Sequence, residues 1–117
     1  MFRMLTCFNL DASGSIDEFC AMLDRFSGHM LDLDLIHGMD PVGRRQRDTI
    51  MDTDDERDHE YFFLMSFRDR AQCDRAIEHI YAKDQPADSI HKAVYSRIKD
   101  QVFICWEDIQ YDKYPPA

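Results

Sequence analysis

The sequence predicts an α+β domain with its elements in the order β-α-β-β-α-β. Three observations carry this. The stretches 2–10, 61–67 and 102–106 are apolar at nearly every position, as strands buried on both faces are. Between them lie segments with apolar residues at helical spacing behind a capping residue. A short stretch at 31–35 alternates strictly and supplies the remaining strand.

The first strand, F-R-M-L-T-C-F-N-L, turns Phe2, Met4, Thr6, Phe8 and Leu10 one way and apolar Leu5 and Cys7 the other. Residues 11–14 form a turn. Ser15 then opens a helix, with Glu18 at capping-box spacing and Ile16, Phe19, Cys20, Leu23 and Phe26 on one face. Gly28 is read as the stop. L-D-L-D-L at 31–35 reads as an edge strand whose carboxylates discourage further pairing. Residues 44–60, rich in Arg, Asp and Glu, read as a solvated connection with some ribbon structure near 49–51.

Y-F-F-L-M-S-F at 61–67 reads as a central strand. Asp69, with Gln72 three residues on, caps a second helix that buries Cys73, Ala76, Ile77 and Ile80. Pro86 breaks it, and 87–99 continues as a further helical segment with Ala87, Ile90, Val94 and Ile98 on one side. The closing strand is 102–106, followed by a tail at 111–117. This order is the split-βαβ, ferredoxin-like arrangement. Right-handed crossovers place the first and third strands at the centre of a four-stranded antiparallel sheet, with helices on one face. All 117 residues make one domain, with its polar connection at about 40–60.

Helices cover only one face of such a sheet, yet three strands are apolar on both. The uncovered face is expected to hold several of Phe2, Met4, Phe8, Phe63, Met65, Phe67, Phe103 and Cys105, with the outward set left open by the alternation. Each large apolar side chain left in water forfeits roughly 1.5–3 kcal/mol. Pairing two sheets face to face as a homodimer resolves this.

A formal net charge of −9 argues against nucleic acid, and against anionic membrane surfaces, as partners. Cys7, Cys20, Cys73 and Cys105 sit singly in apolar runs, as reduced cysteines do. Neither a secretory segment nor an 18-residue apolar run occurs in the sequence, so a cytoplasmic location is expected.

The opening M-F-R-M-L-T-C-F-N-L and the closing V-Y-S-R-I-K-D-Q-V-F-I-C-W-E resemble the stress-responsive dimeric α/β-barrel family, whose first strand often reads I-R-H-I-V-L-F-K-L. Q-P-A-D at 85–88 falls where that family often has H-P-x-H. The resemblance implies two ferredoxin-like subunits forming a barrel, each with a small pocket between sheet and helices. Some relatives are polyketide cyclases with one histidine in the first strand and others in H-P-x-H. Met4, Gln85 and Asp88 stand at those positions here, so the inherited histidine chemistry is not implied.

Asp88 and His91 are three apart on one helix, the spacing at which a carboxylate can orient an imidazole as a general base. The commoner use of such an Asp is capping, with the His on the surface. Met4, His79, Tyr81 and Trp106 are candidates to line an apolar pocket; ordinary core and surface roles are the alternative. Arg44, Arg45 and Arg47 are candidates for an anion clamp, although the acidic run beside them offers internal partners. Asp52, Asp54, Asp55 and Glu56 lack the Gly and terminal Glu of a calcium loop. The five histidines lack zinc-type spacing, so no metal or other cofactor is expected. Three readings follow: a binder of a small apolar acyl or aromatic molecule, a cofactor-independent cyclase, monooxygenase or isomerase using Asp88 and His91, and a partner-binding module using 44–60.

Overall fold

The computed structural model describes residues 1–12 and 14–110. Its elements are β1 (Phe2–Leu10), α1 (Ile16–Asp32), β2 (Gly38–Met39), β3 (Gly43–Arg44), β4 (Tyr61–Phe67), α2 (Arg70–Tyr81), α3 (Ala87–Tyr95) and β5 (Ile98–Glu107). The sheet order is β2-β4-β1-β5, with β3 also pairing with β4, and every pairing is antiparallel. β2 and β3 together are the second strand of the ferredoxin-like order, in two pieces. The predicted tail at 111–117 lies outside the described residues, as does Ser13 of the first turn.

Both predicted caps form. The Ser15 hydroxyl accepts from the Glu18 N–H (3.1 Å), and the Asp69 carboxylate accepts from the Gln72 N–H (2.8 Å). Gln72 is fully buried, and its side chain reaches one residue beyond the box. Its Oε1 accepts from the Arg68 N–H (2.7 Å), and its Nε2 donates to the Asp34 carbonyl (3.1 Å).

The predicted strand at 31–35 is not one. α1 runs through Gly28, which keeps an ordinary helical backbone, because burying Met30 continues the stripe of Phe19, Leu23 and Phe26. The helix ends at Leu33, Asp34 takes a left-handed φ of 57°, and Leu35 and Ile36 turn into the core. Residues 49–51 form a turn rather than ribbon. α3 is shorter than predicted and β5 longer, because Ile98 and Lys99 pair with Leu10 and Asn9. A bulge follows between Cys7 and Asn9, opposite Asp100 at φ 57°.

One core joins sheet and helices: Phe8, Phe63, Met65 and Phe67 pack under Phe19, Leu23, Phe26, Ala76, Ile90 and Val94. This settles which set faces outward, and it is not the set named from sequence. Phe8, Phe63, Met65 and Phe67 are buried beneath the helices, Phe2 and Met4 pack against the same core, and Phe103 and Cys105 share that face by register. The alternation therefore turns Leu5, Cys7, Phe62, Leu64, Val102, Ile104 and Trp106 to the opposite face, which no helix among the described residues covers, although Arg45, Asp54, Arg57 and His59 lie beside its Leu5–Cys7–Phe62 end. Phe62, Val102 and Trp106 stand exposed there.

Candidate functional site

Between the helices and the β5 side of the sheet lies a cavity of about 390 Å³. Met4 of β1, Gln101 and Phe103 of β5, Ile77, Ile80 and Tyr81 of α2, and His91 and Tyr95 of α3 line it. The cavity exists because helix cover runs out before the edge of the sheet. Phe103 shares the face of buried Thr6 yet remains 47% exposed at the mouth. Its size falls within the usual range for small-molecule pockets, roughly 300–1,000 Å³.

His91 and Tyr95 are four apart on α3, so their rings meet on one helix face with centroids 4.6 Å apart and planes tilted by 45°. The far side of the His91 ring meets Phe26 (5.8 Å), and Tyr95 meets Phe103 (6.0 Å). Burial lowers the His91 pKa, and nearby Asp88 opposes that only in part. The imidazole is therefore held neutral, able to accept a proton. Burial pushes the Tyr95 phenol up to about 12, so it stays a hydroxyl donor. His91, Tyr95, Gln101 and the Tyr81 phenol are thus the uncharged polar groups of a chamber whose other walls are apolar. No Lys or Arg is among the lining residues.

Of the residues singled out from sequence, Met4, Tyr81 and His91 meet at this cavity. Asp88 is near His91, but its carboxylate pairs with Lys92 at 3.0 Å, one turn along the helix. His79 does not line the cavity; it turns toward α1, where its Nε2 lies 3.1 Å from Nε2 of His29. Trp106 does not line it either, because its register with Arg3 puts it on the outward face. Ile77, Ile80, Tyr95, Gln101 and Phe103 were not singled out for this site. The signal for Tyr95 was its spacing from His91.

The charged connection pairs most of its arginines internally. Arg45 is held by the Asp52 carboxylate and the carbonyls of Asp54 (2.8 Å) and Arg57 (3.2 Å). Arg57 pairs with Asp54 (2.8 Å) and Arg47 with Glu60 (2.9 Å). Those pairings occupy Arg45 and Arg47 of the proposed anion clamp and the acidic residues Asp52, Asp54 and Glu60, while Arg44 lies over the Tyr61 ring at 5.7 Å.

An expected result follows for His91. Its imidazole proton signals, followed by NMR, titrate with a midpoint below the ordinary value of about 6.5. Since the folded value lies below the unfolded one, protonation of His91 opposes folding. Its effect is absent above pH of about 6.5, grows as pH falls from there to the folded midpoint, and levels off below it. A midpoint above 7 contradicts the burial described.

No family model and no curated protein matches the chain. Solved structures do. The chain is similar to the At3g17210 protein of Arabidopsis thaliana (TM-score 0.70, 5% identity, covering 96% of this chain and 99% of that one). It is similar to a dimeric ferredoxin-like protein of unknown function from Jannaschia sp. CCS1 (TM-score 0.63, 16% identity, 92% and 98% covered). It is also similar to SnoaB, a cofactor-independent oxygenase from Streptomyces nogalater (TM-score 0.60, 14% identity, 97% of each chain covered). Identities this low carry fold and nothing finer. The chain has the ferredoxin-like α+β fold, over almost its full length.

Proposed function

We propose that this protein is a homodimer of the stress-responsive dimeric α/β-barrel kind that binds a small, largely apolar acyl or aromatic molecule in the Met4–Tyr95–Phe103 cavity. The observation that carries the reading is the cavity's make-up: aromatic and aliphatic walls with four uncharged polar groups, those of Tyr81, His91, Tyr95 and Gln101, and no Lys or Arg. Such a chamber gains from desolvating an apolar ligand, and His91, Tyr95 and Gln101 orient it by hydrogen bonds. The outward apolar face supports the dimer, as does the similarity to the dimeric Jannaschia protein. The terminal motifs support the family.

The test uses isothermal titration calorimetry with a panel of medium-chain fatty acids and bicyclic aromatic acids. The expected result is binding by at least one class, weakened at least tenfold in Ile80→Trp, which fills the chamber from α2. Absence of binding and of any thermal shift across the panel contradicts the reading.

A second reading has its own observation. A half-buried neutral imidazole in an apolar chamber is also what a general base requires. In a cofactor-independent cyclase, monooxygenase or isomerase, His91 would take the proton and Asp88 would act only through space. With a bound ligand identified, turnover lost in His91→Ala but retained in Asp88→Asn selects this reading; a ligand recovered unchanged selects simple binding.

A further inference from the structure

We propose that His29 and His79 form a two-imidazole binding site for a divalent transition metal ion, of the Cu²⁺, Ni²⁺ or Zn²⁺ class, that fastens α2 to α1. Their Nε2 atoms lie 3.1 Å apart, with ring centroids at 5.3 Å and planes inclined by 32°. An ion holding two imidazole nitrogens at about 2.0–2.1 Å, at angles from square to tetrahedral, needs them roughly 2.9–3.4 Å apart. The separation is already suitable. The rings face one another nearly head-on, so each turns by roughly 25–40° for the two lone pairs to converge on one ion at about 2.0–2.1 Å.

The protons balance without an outside base. In the metal-free pair one Nε2–H donates to the other Nε2, since a neutral imidazole carries a single ring proton. When both Nε2 atoms bind an ion, that proton moves to Nδ1 of its own ring, and none is released. Imidazole ligands favour Cu²⁺, Ni²⁺ and Zn²⁺ over Mg²⁺ and Ca²⁺, which prefer oxygen.

The two histidines come from the last turns of α1 and α2, fifty residues apart, and both rings are part-buried. Packing therefore positions them before any ion arrives. Among the described residues no third His, Cys, Asp or Glu joins them, so water completes the coordination and the ion exchanges readily. The opposite side of α2 carries Ile77, Ile80 and Tyr81 into the cavity, so an ion here would brace the cavity wall.

The test is titration of the untagged full chain with Cu²⁺ at pH 7.5, read by electron paramagnetic resonance and calorimetry. Expected are one readily exchanging ion per chain, hyperfine structure from two imidazole nitrogens, and a raised Tm with Ni²⁺ or Zn²⁺ but not Mg²⁺. His29→Gln and His79→Gln, each checked for native circular dichroism, are expected to weaken binding at least tenfold and leave a one-nitrogen spectrum. His37→Ala is expected to change neither. Unchanged binding in both Gln variants, a signature lost with His37→Ala instead, or no binding by the wild-type chain overturns the proposal.

Discussion

Ile104→Arg is expected to convert the proposed dimer into a folded monomer. Ile104 lies at the middle of the outward face, opposite Leu5 on β1 and flanked along β5 by Val102 and Trp106 on the same side. In a face-to-face pair it is covered twice, once in each copy. Losing two such burials removes on the order of 3–6 kcal/mol, and desolvating the introduced guanidinium adds to that. The dissociation constant then rises at least a hundredfold. The monomer should remain folded, since Ile104 points away from the helix-covered core. Sizing with light scattering reads the mass, and circular dichroism confirms the fold. A variant with unchanged mass at micromolar concentration places any dimer contact elsewhere.

Phe63→Ala is expected to cost roughly 3–5 kcal/mol of folding stability. Phe63 is fully buried in central strand β4, with ring centroids 5.9 Å from Phe8 and 6.2 Å from Phe19. The aromatic cluster ties β1, β4 and α1 together, and a methyl group cannot refill it. For a chain of this size Tm falls by roughly 10–20 °C. Wild type and variant must be melted at one protein concentration, because subunit association couples to unfolding. The same substitution at exposed Phe62, its neighbour on the opposite face, should barely move the monomer's stability and weaken association instead. A loss under 1 kcal/mol for Phe63→Ala would show that the core is not organised around this cluster.

Much of the fold was legible because strong local signals agreed with the final packing. β1 and β4 begin and end where the apolar runs do. Ser15 and Asp69 cap because a short oxygen side chain three residues before a free N–H has few better uses. The misreading at 31–35 came from two patterns that overlap. Leu31 and Leu33 alternate with aspartates, but both are about half exposed at the frayed end of α1. Met30, four residues after Phe26, was the sign that the helical stripe continued. The outward set was illegible for another reason: when both alternating sets are apolar, only the position of the helices chooses between them.

The site was legible in part. Met4 was named from its place in the first strand, where the resembling family keeps a histidine, Tyr81 as an aromatic on the helix before Pro86, and His91 from its spacing to Asp88. His91 with Tyr95 was available from helical spacing alone. The partnership of Phe103 with Met4 depends on strand register, and that of His29 with His79 on how α1 and α2 dock. Neither is written in local spacing. Asp88 shows the competing use of a spacing. Its spacing from His91 is right for a dyad, but Lys92, four residues on, offers a full opposite charge and takes the carboxylate.

Native mass spectrometry of the purified chain at micromolar concentration tests the central claim most directly, because one spectrum reads assembly and occupancy together. A homodimer of 13.9 kDa subunits, near 2 × 13.9 = 27.8 kDa, is predicted, and it should take up one small molecule per subunit when the best ligand of the panel is added. A stable species at 13.9 kDa that takes up nothing contradicts both halves of the account.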